Sequence, residues 1–244
     1  MSHLSLRRAL LAAALPAALS GAVLLPAVAV APSAIAQDQP QTVADRIKER
    51  IEAQLKRRLS KQRKAETEAI QKFYEAREFK PFWLNTDGQP NANAKMLFAA
   101  LEKVGEHGLD PVQYGMPKLA ETIAATDDAQ RAANELRLTR LLIDYAGDMF
   151  SGSVAPNRTA PRNYIKPKRP DTERLLTQAA SATDFTKYLT SLEPTARRYN
   201  RLKKALAQYR ALADKGGWPK VAAGPTLKPG MKNKRVAEVK KRLV

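Results

Sequence analysis

The stretch "AIQKFYEAREFKPFWL" (residues 69–84) holds the densest group of aromatic residues in the chain. Five aromatic side chains fall within eleven positions. Pro81, which lies among them, is expected to stop the helix, because proline lacks the backbone donor that a helix needs. Asp87-Gly88 then signals a turn. Aromatic residues between a helix end and a turn are typical of a corner of the hydrophobic core. A platform on which a ligand stacks is the alternative interpretation.

Helical patterns flank this stretch on both sides. On the N-terminal side, Ile47, Ile51, Leu55 and Leu59 recur every four residues among charged ones, which predicts a helix that docks by one narrow edge. A helix lying on a membrane surface is the alternative, but the glutamates among its bases argue against it.

On the C-terminal side, polar caps and leucine-rich faces predict a series of further helices. They are expected to start near Asn93, Asp127, Asp171 and Asp184 and after Pro194. No convincing strand pattern occurs before Val221. The sequence therefore predicts a mainly α fold of several helices, with at most a small β element near residues 221–229.

The N-terminal 36 residues are predicted to be a cleaved secretory signal peptide. Arg7 and Arg8 precede a long apolar run, and Ala34-Ile35-Ala36 forms a small-residue cleavage site that places the cut between Ala36 and Gln37. An uncleaved membrane anchor is the alternative, since the apolar run is long enough to span a bilayer. The expectation is a periplasmic protein with no stable membrane span after cleavage.

The charge of the chain is concentrated at its C-terminal end. The net charge is +18, and residues 197–244 contribute 15 Lys and Arg against two acids. Such a segment favours an anionic partner surface. The candidate contacts, which a solvated basic face would explain equally well, are Arg197, Arg198, Arg201, Lys204, Lys240, Lys241 and Arg242.

Motifs of known catalytic or metal chemistry are missing from the sequence. It contains no cysteine and only one histidine after the signal peptide, His107, so no Cys–His pair and no histidine-rich metal site can form within it. We therefore predict no catalytic residues, no metal and no cofactor. His107 itself is expected to be a structural loop residue.

Three stretches, taken in order, resemble one protein family. They are "FYEAREFKPFWL" (73–84), "LFAALEKVGEHGLDPVQY" (97–114) and "YNRLKKALAQYRALADKGGWPKVAAGPTLKPG" (199–230). Together they are similar to the helical scaffold domain of the large multi-domain periplasmic L,D-transpeptidases. The residues that would fall in these signatures are Phe73, Tyr74, Pro81, Trp83, Gly108, Leu109, Asp110, Tyr114, Leu202, Ala205, Leu206, Tyr209, Gly216, Gly217, Trp218 and Pro219.

The residue patterns and the resemblance together predict a domain organisation. Residues 1–36 would be the signal peptide, 37–65 a polar linker with a basic amphipathic helix, and 66–220 the scaffold domain. Residues 221–244 resemble the incomplete start of a peptidoglycan-binding domain, with Val236, Val239 and Leu243 facing inward. The family's catalytic cysteine has no counterpart in this sequence, so the chain by itself is expected to be inactive.

The resemblance also implies a role in peptidoglycan cross-linking as a non-catalytic scaffold. The expected partners are peptidoglycan or its stem peptides and a catalytic transpeptidase domain in cis or in trans. A standalone basic module that binds peptidoglycan or another anionic envelope surface is the alternative. A nucleic-acid binder is a third hypothesis, but predicted export argues against it, and no nucleic-acid partner is expected.

Overall fold

The computed structural model describes residues 41–124, 127–154, 158, 162 and 167–243. The chain divides into two units, Met1–Asp38 and Gln39–Val244, and every described residue belongs to the second. Over these residues there are nine α-helices. They are α1 (Val43–Leu55), α2 (Lys61–Glu75), α3 (Ala92–Glu102), α4 (Leu119–Ile123), α5 (Asp128–Ser151), α6 (Thr172–Ser181), α7 (Phe185–Ser191), α8 (Arg197–Asp214) and α9 (Lys234–Leu243).

Two 3₁₀ helices, Val104–His107 and Pro111–Tyr114, connect α3 to α4. The described residues form no strand, and one isolated bridge joins Leu84 to Pro90 across the predicted turn. The predicted mainly α class is confirmed, while the small β element considered near residues 221–229 is not formed.

Polar caps set where most of the helices begin. Thr42 and Asp45 form a reciprocal capping box at the start of α1, which satisfies backbone donors that have no partner inside the helix. Asp127, Asp171 and Asp184 cap α5, α6 and α7, as the sequence predicts. Caps of this kind typically stabilise a helix by about 1 kcal/mol each.

The longest helix, α5, is the centre of the fold. It buries eleven of its 24 residues, among them Leu138, Leu142 and Met149. α1 packs along α5 through Ile47 and Ile51, while α2 packs on α1 and α6, and α3 packs on α7. Because Ile47 and Ile51 are almost fully buried, α1 lies in the same unit as the following helices.

The aromatic stretch forms the core corner that the sequence predicts. Tyr74 and Trp83 have no exposed surface, and Phe73 and Phe82 are buried. The rings meet edge to face, with centroids 5.5 Å apart for Phe73–Phe82 and 5.7 Å apart for Trp83–Phe185. This geometry is favourable for aromatic pairs. Because these four rings are buried, none of them offers an open face on which a ligand could stack.

An unusual turn brings residues 82–84 to this corner. Glu78 and Phe79, just after α2, have φ angles of 54° and 56°, in the left-handed region that residues with a Cβ seldom adopt. Such backbone costs about 1–2 kcal/mol per residue. The Phe79 amide donates to the Tyr74 carbonyl at 2.7 Å, and the half-buried Phe79 packs against the core. These contacts offset the strain.

Several sequence predictions about element limits and faces are wrong in detail. The periodic stripe from Ile47 to Leu59 is interrupted, because α1 ends at Leu55 and Ser60 caps a separate α2. Asn91, two residues before the predicted Asn93, caps α3. Met96, which has the spacing of the α3 core face, is 37% exposed.

Candidate interaction surface

The helix α8 presents a basic face to solvent. Arg197, Arg198, Arg201 and Lys204 all lie in its first half, and all four are exposed. The intervals of three and four residues that separate 197, 201 and 204 bring these positions to one side of a helix. Within the described part of the chain, none of the four has an acidic partner. The four bases are therefore exposed on a helix. That they bind a polymer stays a prediction.

The opposite face of α8 holds the helix against the first 3₁₀ helix through polar side chains. Tyr199 hydrogen-bonds His107 Nδ1 through its hydroxyl, and the Lys203 ammonium lies 3.3 Å from His107 Nε2 and 3.3 Å from Glu193. Two turns after Lys203, Arg210 donates to the carbonyl of Gly105. Tyr199, Lys203 and Arg210 are separated by four and by seven residues, which places them on one face of the helix.

His107 lies at the centre of this docking contact. Its side chain is 6% exposed, and Glu193 Oε1 lies 3.7 Å from its Nε2 atom. Burial lowers the pKa of His107 below its ordinary value, with Lys203 acting in the same direction and Glu193 and Glu106 opposing it. The histidine is therefore neutral in the docked state at neutral pH, and its position agrees with the structural role that the sequence indicates.

The apolar face predicted for α8 is not buried. Leu202 is 63% exposed and Tyr209 is 59% exposed, and no residue of α8 is fully buried. Leu206 is half-buried and contacts the loop at Gly108, where an added Cβ would lie 3.8 Å from the Leu206 side chain. The apolar periodicity therefore predicts the helix but not the face that packs on the rest of the fold. Polar contacts at Tyr199, Lys203 and Arg210 dock the helix.

The remaining candidate bases lie on α9, and they differ in their surroundings. Lys240 and Lys241 are exposed, whereas Arg242 donates to the Pro219 carbonyl at 3.0 Å. Arg235 donates to the Ala222 carbonyl at 2.7 Å in the same way. Arg242 therefore holds α9 against residues 219–225 and is a weaker candidate for polymer contact than the two lysines.

The inward face predicted for α9 is partly wrong. Val236 and Val239 are half-buried, but Leu243 is 80% exposed. Since one amphipathic helix buries little apolar surface without a partner, the contacts of α9 are mainly the polar ones to residues 219–225.

Predictions about the cleavage site, metal ligands and membrane spans can be compared with the described residues only. The predicted cleavage residues Ala36 and Gln37 lie outside the described residues. Over the part of the chain that is described, no group of three or more histidine and acidic side chains is close enough to hold a metal ion. In the same part, no helix combines the length and the apolar character that a membrane span needs.

Sequence reasoning missed a buried carboxylate that organises the core. Glu135 on α5 is completely buried and accepts hydrogen bonds from three successive amides, those of Phe82, Trp83 and Leu84, and from the Tyr74 hydroxyl. Burial raises its pKa to about 7, although the hydrogen bonds favour the charged form. Its neighbour Thr139 accepts a hydrogen bond from the Trp83 indole at 2.9 Å.

A family model described as "Scaffold domain" matches residues 68–206, which is more than half of the chain. No curated protein and no solved structure matches the chain significantly. The matched region begins in α2, contains the aromatic corner, the Glu135 anchor and the His107 contact, and ends within α8. The chain therefore belongs to the scaffold-domain family, the scaffold domain of L,D-transpeptidases.

Proposed function

We propose that this chain is a non-catalytic scaffold portion of an L,D-transpeptidase-like protein that acts in peptidoglycan cross-linking and cell-wall remodelling. The observation that carries the proposal is the family match over residues 68–206. In the resembling enzymes, the transfer passes through an acyl group on a cysteine, and this sequence contains no cysteine. The proposed role is to hold and orient partners, while another domain performs the chemistry.

The architecture suits such a role. Family membership identifies the domain, and the fold around α5 supplies a rigid support, because its core is closed by the aromatic corner and the Glu135 anchor. On that support, α8 holds four exposed bases in fixed relative positions. Groups placed on rigid elements orient a partner better than groups on loops.

The proposal includes location and partners. Export by the N-terminal signal segment would bring the chain to the periplasm, where peptidoglycan and its stem peptides are found. A catalytic transpeptidase domain, in cis or in trans, would be the second partner. The likeness of residues 221–244 to the start of a peptidoglycan-binding domain supports a wall contact next to the scaffold.

A second candidate function is a standalone basic module that binds peptidoglycan or another anionic envelope surface. The observation that favours it is the set of bases on α8 and α9 that have no acidic partner in the described part of the chain. They are Arg197, Arg198, Arg201, Lys204, Lys240 and Lys241. Exposed charges of this kind attract polyanions in a manner that salt screens.

Co-sedimentation of the mature chain with purified sacculi tests the wall contact. We expect binding at moderate salt that falls roughly tenfold when Arg197, Arg198, Arg201 and Lys204 become glutamine, because four surface charge contacts are lost together. The matched control removes the same charge from four exposed bases elsewhere. They are Lys61, Lys95, Lys118 and Arg174.

Equal loss in both variants would mean that total charge, and no defined surface, drives the binding. Absence of binding by the unchanged chain would remove both forms of wall contact. An assay with donor and acceptor muropeptides tests the non-catalytic assignment separately. Cross-linked product that depends on this chain alone would contradict it.

A further inference from the structure

The exposed side of α8 carries apolar side chains as well as bases. Leu202 and Tyr209 are more than half exposed, and Trp218, just after the helix, is nearly half exposed. Leu202 and Tyr209 are seven residues apart, so they lie within about 20° of each other around the helix. Together with Trp218 they form an apolar edge. Exposed apolar side chains that lie together beside charged residues mark an interaction site.

A glycine turn brings Trp218 onto the end of the helix. Gly216 and Gly217, which follow α8, have φ angles of 97° and 74°, in the left-handed region that glycine adopts without strain. The Gly217 amide donates to the Leu212 carbonyl at 2.9 Å, which closes the helix end. The ring centroid of Trp218 then lies 5.7 Å from that of Tyr209. The apolar edge therefore continues past the last turn of α8.

A basic strip runs beside the apolar edge. It consists of Arg197, Arg201 and Lys204, which lie within about 60° of one another around α8. The strip and the apolar edge point in directions about 120° apart. Both are exposed, whereas the side of α8 that reaches His107 faces the fold. The helix therefore presents to solvent a surface that is apolar along one side and basic along the other.

From this arrangement we infer that α8 lies on an anionic lipid surface, with the apolar edge in the headgroup region and the basic strip against the lipid phosphates. Tyrosine and tryptophan are enriched at the boundary between water and lipid, because their rings are amphipathic. The negative potential of an anionic lipid surface attracts arginine and lysine. Helices that combine the two kinds of side chain lie in the plane of the membrane surface. The inference names a partner for the bases of the second candidate function, and it rests on that candidate.

Other partners fit this surface less well. A hydrated polyanion would use the bases alone, and it offers little apolar surface to cover Leu202. A protein partner would need an apolar patch within a strongly acidic surface, because residues 197–244 hold 15 Lys and Arg against two acids. An anionic bilayer presents both kinds of group along its whole surface.

Sedimentation with lipid vesicles tests the inference. The sample is the chain without residues 1–36, because the apolar run in that segment would enter lipid by itself. All the described helices belong to the remaining unit, Gln39–Val244. We expect binding to vesicles of phosphatidylglycerol and phosphatidylcholine in equal parts, and much weaker binding to vesicles of phosphatidylcholine alone.

Two variants separate the apolar edge from the bases. Leu202→Ser with Tyr209→Ser keeps the charge and should weaken binding to the anionic vesicles by about tenfold or more, because only electrostatic attraction remains. The variant with four glutamines in α8, used for sacculi, should weaken it by a similar factor. Val112→Ser with Phe150→Ser, which removes two exposed apolar side chains from other elements, is the matched control and should bind like the unchanged chain. Circular dichroism checks that each variant keeps its helices.

Tryptophan fluorescence gives a second readout, which responds to burial in lipid. The sequence has two tryptophans, Trp83 and Trp218, and Trp83 is fully buried in the core. Entry of Trp218 into the headgroup region should therefore shift the emission to shorter wavelength when anionic vesicles are added. The variant Trp218→Phe should still bind but should lose this shift, which assigns the signal to the apolar edge.

Absence of binding to the anionic vesicles would overturn the inference. Equal binding by the unchanged chain and by the variant that lacks Leu202 and Tyr209 would also overturn it, because charge alone would then hold the chain to the surface. Sacculus binding distinguishes this failure from failure of the proposed function. A chain that sediments with sacculi but not with vesicles keeps the wall contact and loses only the lipid partner.

Discussion

Glu135 shows how one residue can join distant parts of a chain. Its carboxylate accepts hydrogen bonds from Trp83 and Leu84, more than fifty positions earlier in the sequence. A carboxylate in the core is costly unless donors satisfy it. Here the strained turn at Glu78 and Phe79 leads directly to the segment whose amides point at Glu135. The turn therefore places the backbone amides that satisfy the buried carboxylate.

Replacement of Glu135 by glutamine should destabilise the fold. The glutamine amide group would face backbone donors, leaving at least one amide without an acceptor, at a cost of about 1–3 kcal/mol. The burial that raises the pKa of Glu135 to about 7 also predicts a pH effect. A raised pKa in the folded state means that the contribution of this group is full below its ordinary value near 4.5 and is lost as the pH rises toward 7.

Denaturant unfolding of both proteins at several pH values checks this prediction. The stability advantage of the unchanged chain over Glu135→Gln should shrink between about pH 4.5 and 7. The other carboxylates titrate in both proteins, so the difference isolates Glu135. Parallel stability curves over that range would contradict the assignment of a raised pKa.

At the scale of elements, α8 differs from the helices that surround the core. Those helices bury aliphatic and aromatic side chains, whereas α8 docks through Tyr199, Lys203 and Arg210 and contributes no fully buried residue. Polar contacts at a surface contribute less than apolar burial. We therefore expect α8 to open more readily than α5.

The His107 contact should make the docking of α8 sensitive to acid. A lowered pKa in the folded state means that this contribution is present above the ordinary pKa of 6.5 and is lost as the pH falls below it. Glu106 and Glu193 face the imidazole and reduce the effect, while Lys203 increases it. Amide hydrogen exchange of residues 197–214, corrected for intrinsic rates, should be faster relative to α5 at pH 5.5 than at pH 7.5.

The variant His107→Gln is the control for that experiment, since glutamine can keep one hydrogen bond to Tyr199 but does not titrate. Its α8 exchange should depend on pH much less than that of the unchanged chain. The same pH dependence in both proteins would mean that another group controls the docking.

At the scale of the whole molecule, the sequence predicted what depends on local pattern. The caps at Asp127, Asp171 and Asp184, the α class and the aromatic corner all follow from nearest neighbours in the sequence. The Glu135 carboxylate contacts backbone amides more than fifty positions away in the sequence, so no local pattern predicts it.

The exposure of the apolar side chains of α8 could not be predicted from the sequence. Periodicity places Leu202 and Tyr209 on one face, but it does not say whether another element covers them. In the structure, the inward face is the polar one that reaches His107. The basic character of the outward face of α8 could be predicted. The hydrogen bond from Arg242 of α9 to the Pro219 carbonyl could not.

A chain shortened to residues 41–194 should still unfold cooperatively. The core cluster lies entirely before Pro194, so removal of α8 and α9 takes away no fully buried side chain. We expect the midpoint of thermal unfolding to fall by only a few degrees, about what a loss of 1 kcal/mol produces in a domain of this size. Leu138→Ala, which opens a cavity under α5, is the contrasting control and should cost about 2–5 kcal/mol. A broad, non-cooperative transition in the shortened chain would contradict this view of the core.

The polar docking of α8 also has a mechanical consequence. Tension applied from the C-terminal side reaches the contacts at Arg210, Lys203 and Tyr199 one after another, because they are spread along the helix. The apolar core carries load only after they have parted. Stretching the 18 residues of α8 then releases roughly 30 Å of extra length. Under tension from the C-terminal side, α8 should therefore detach and extend before the apolar core unfolds.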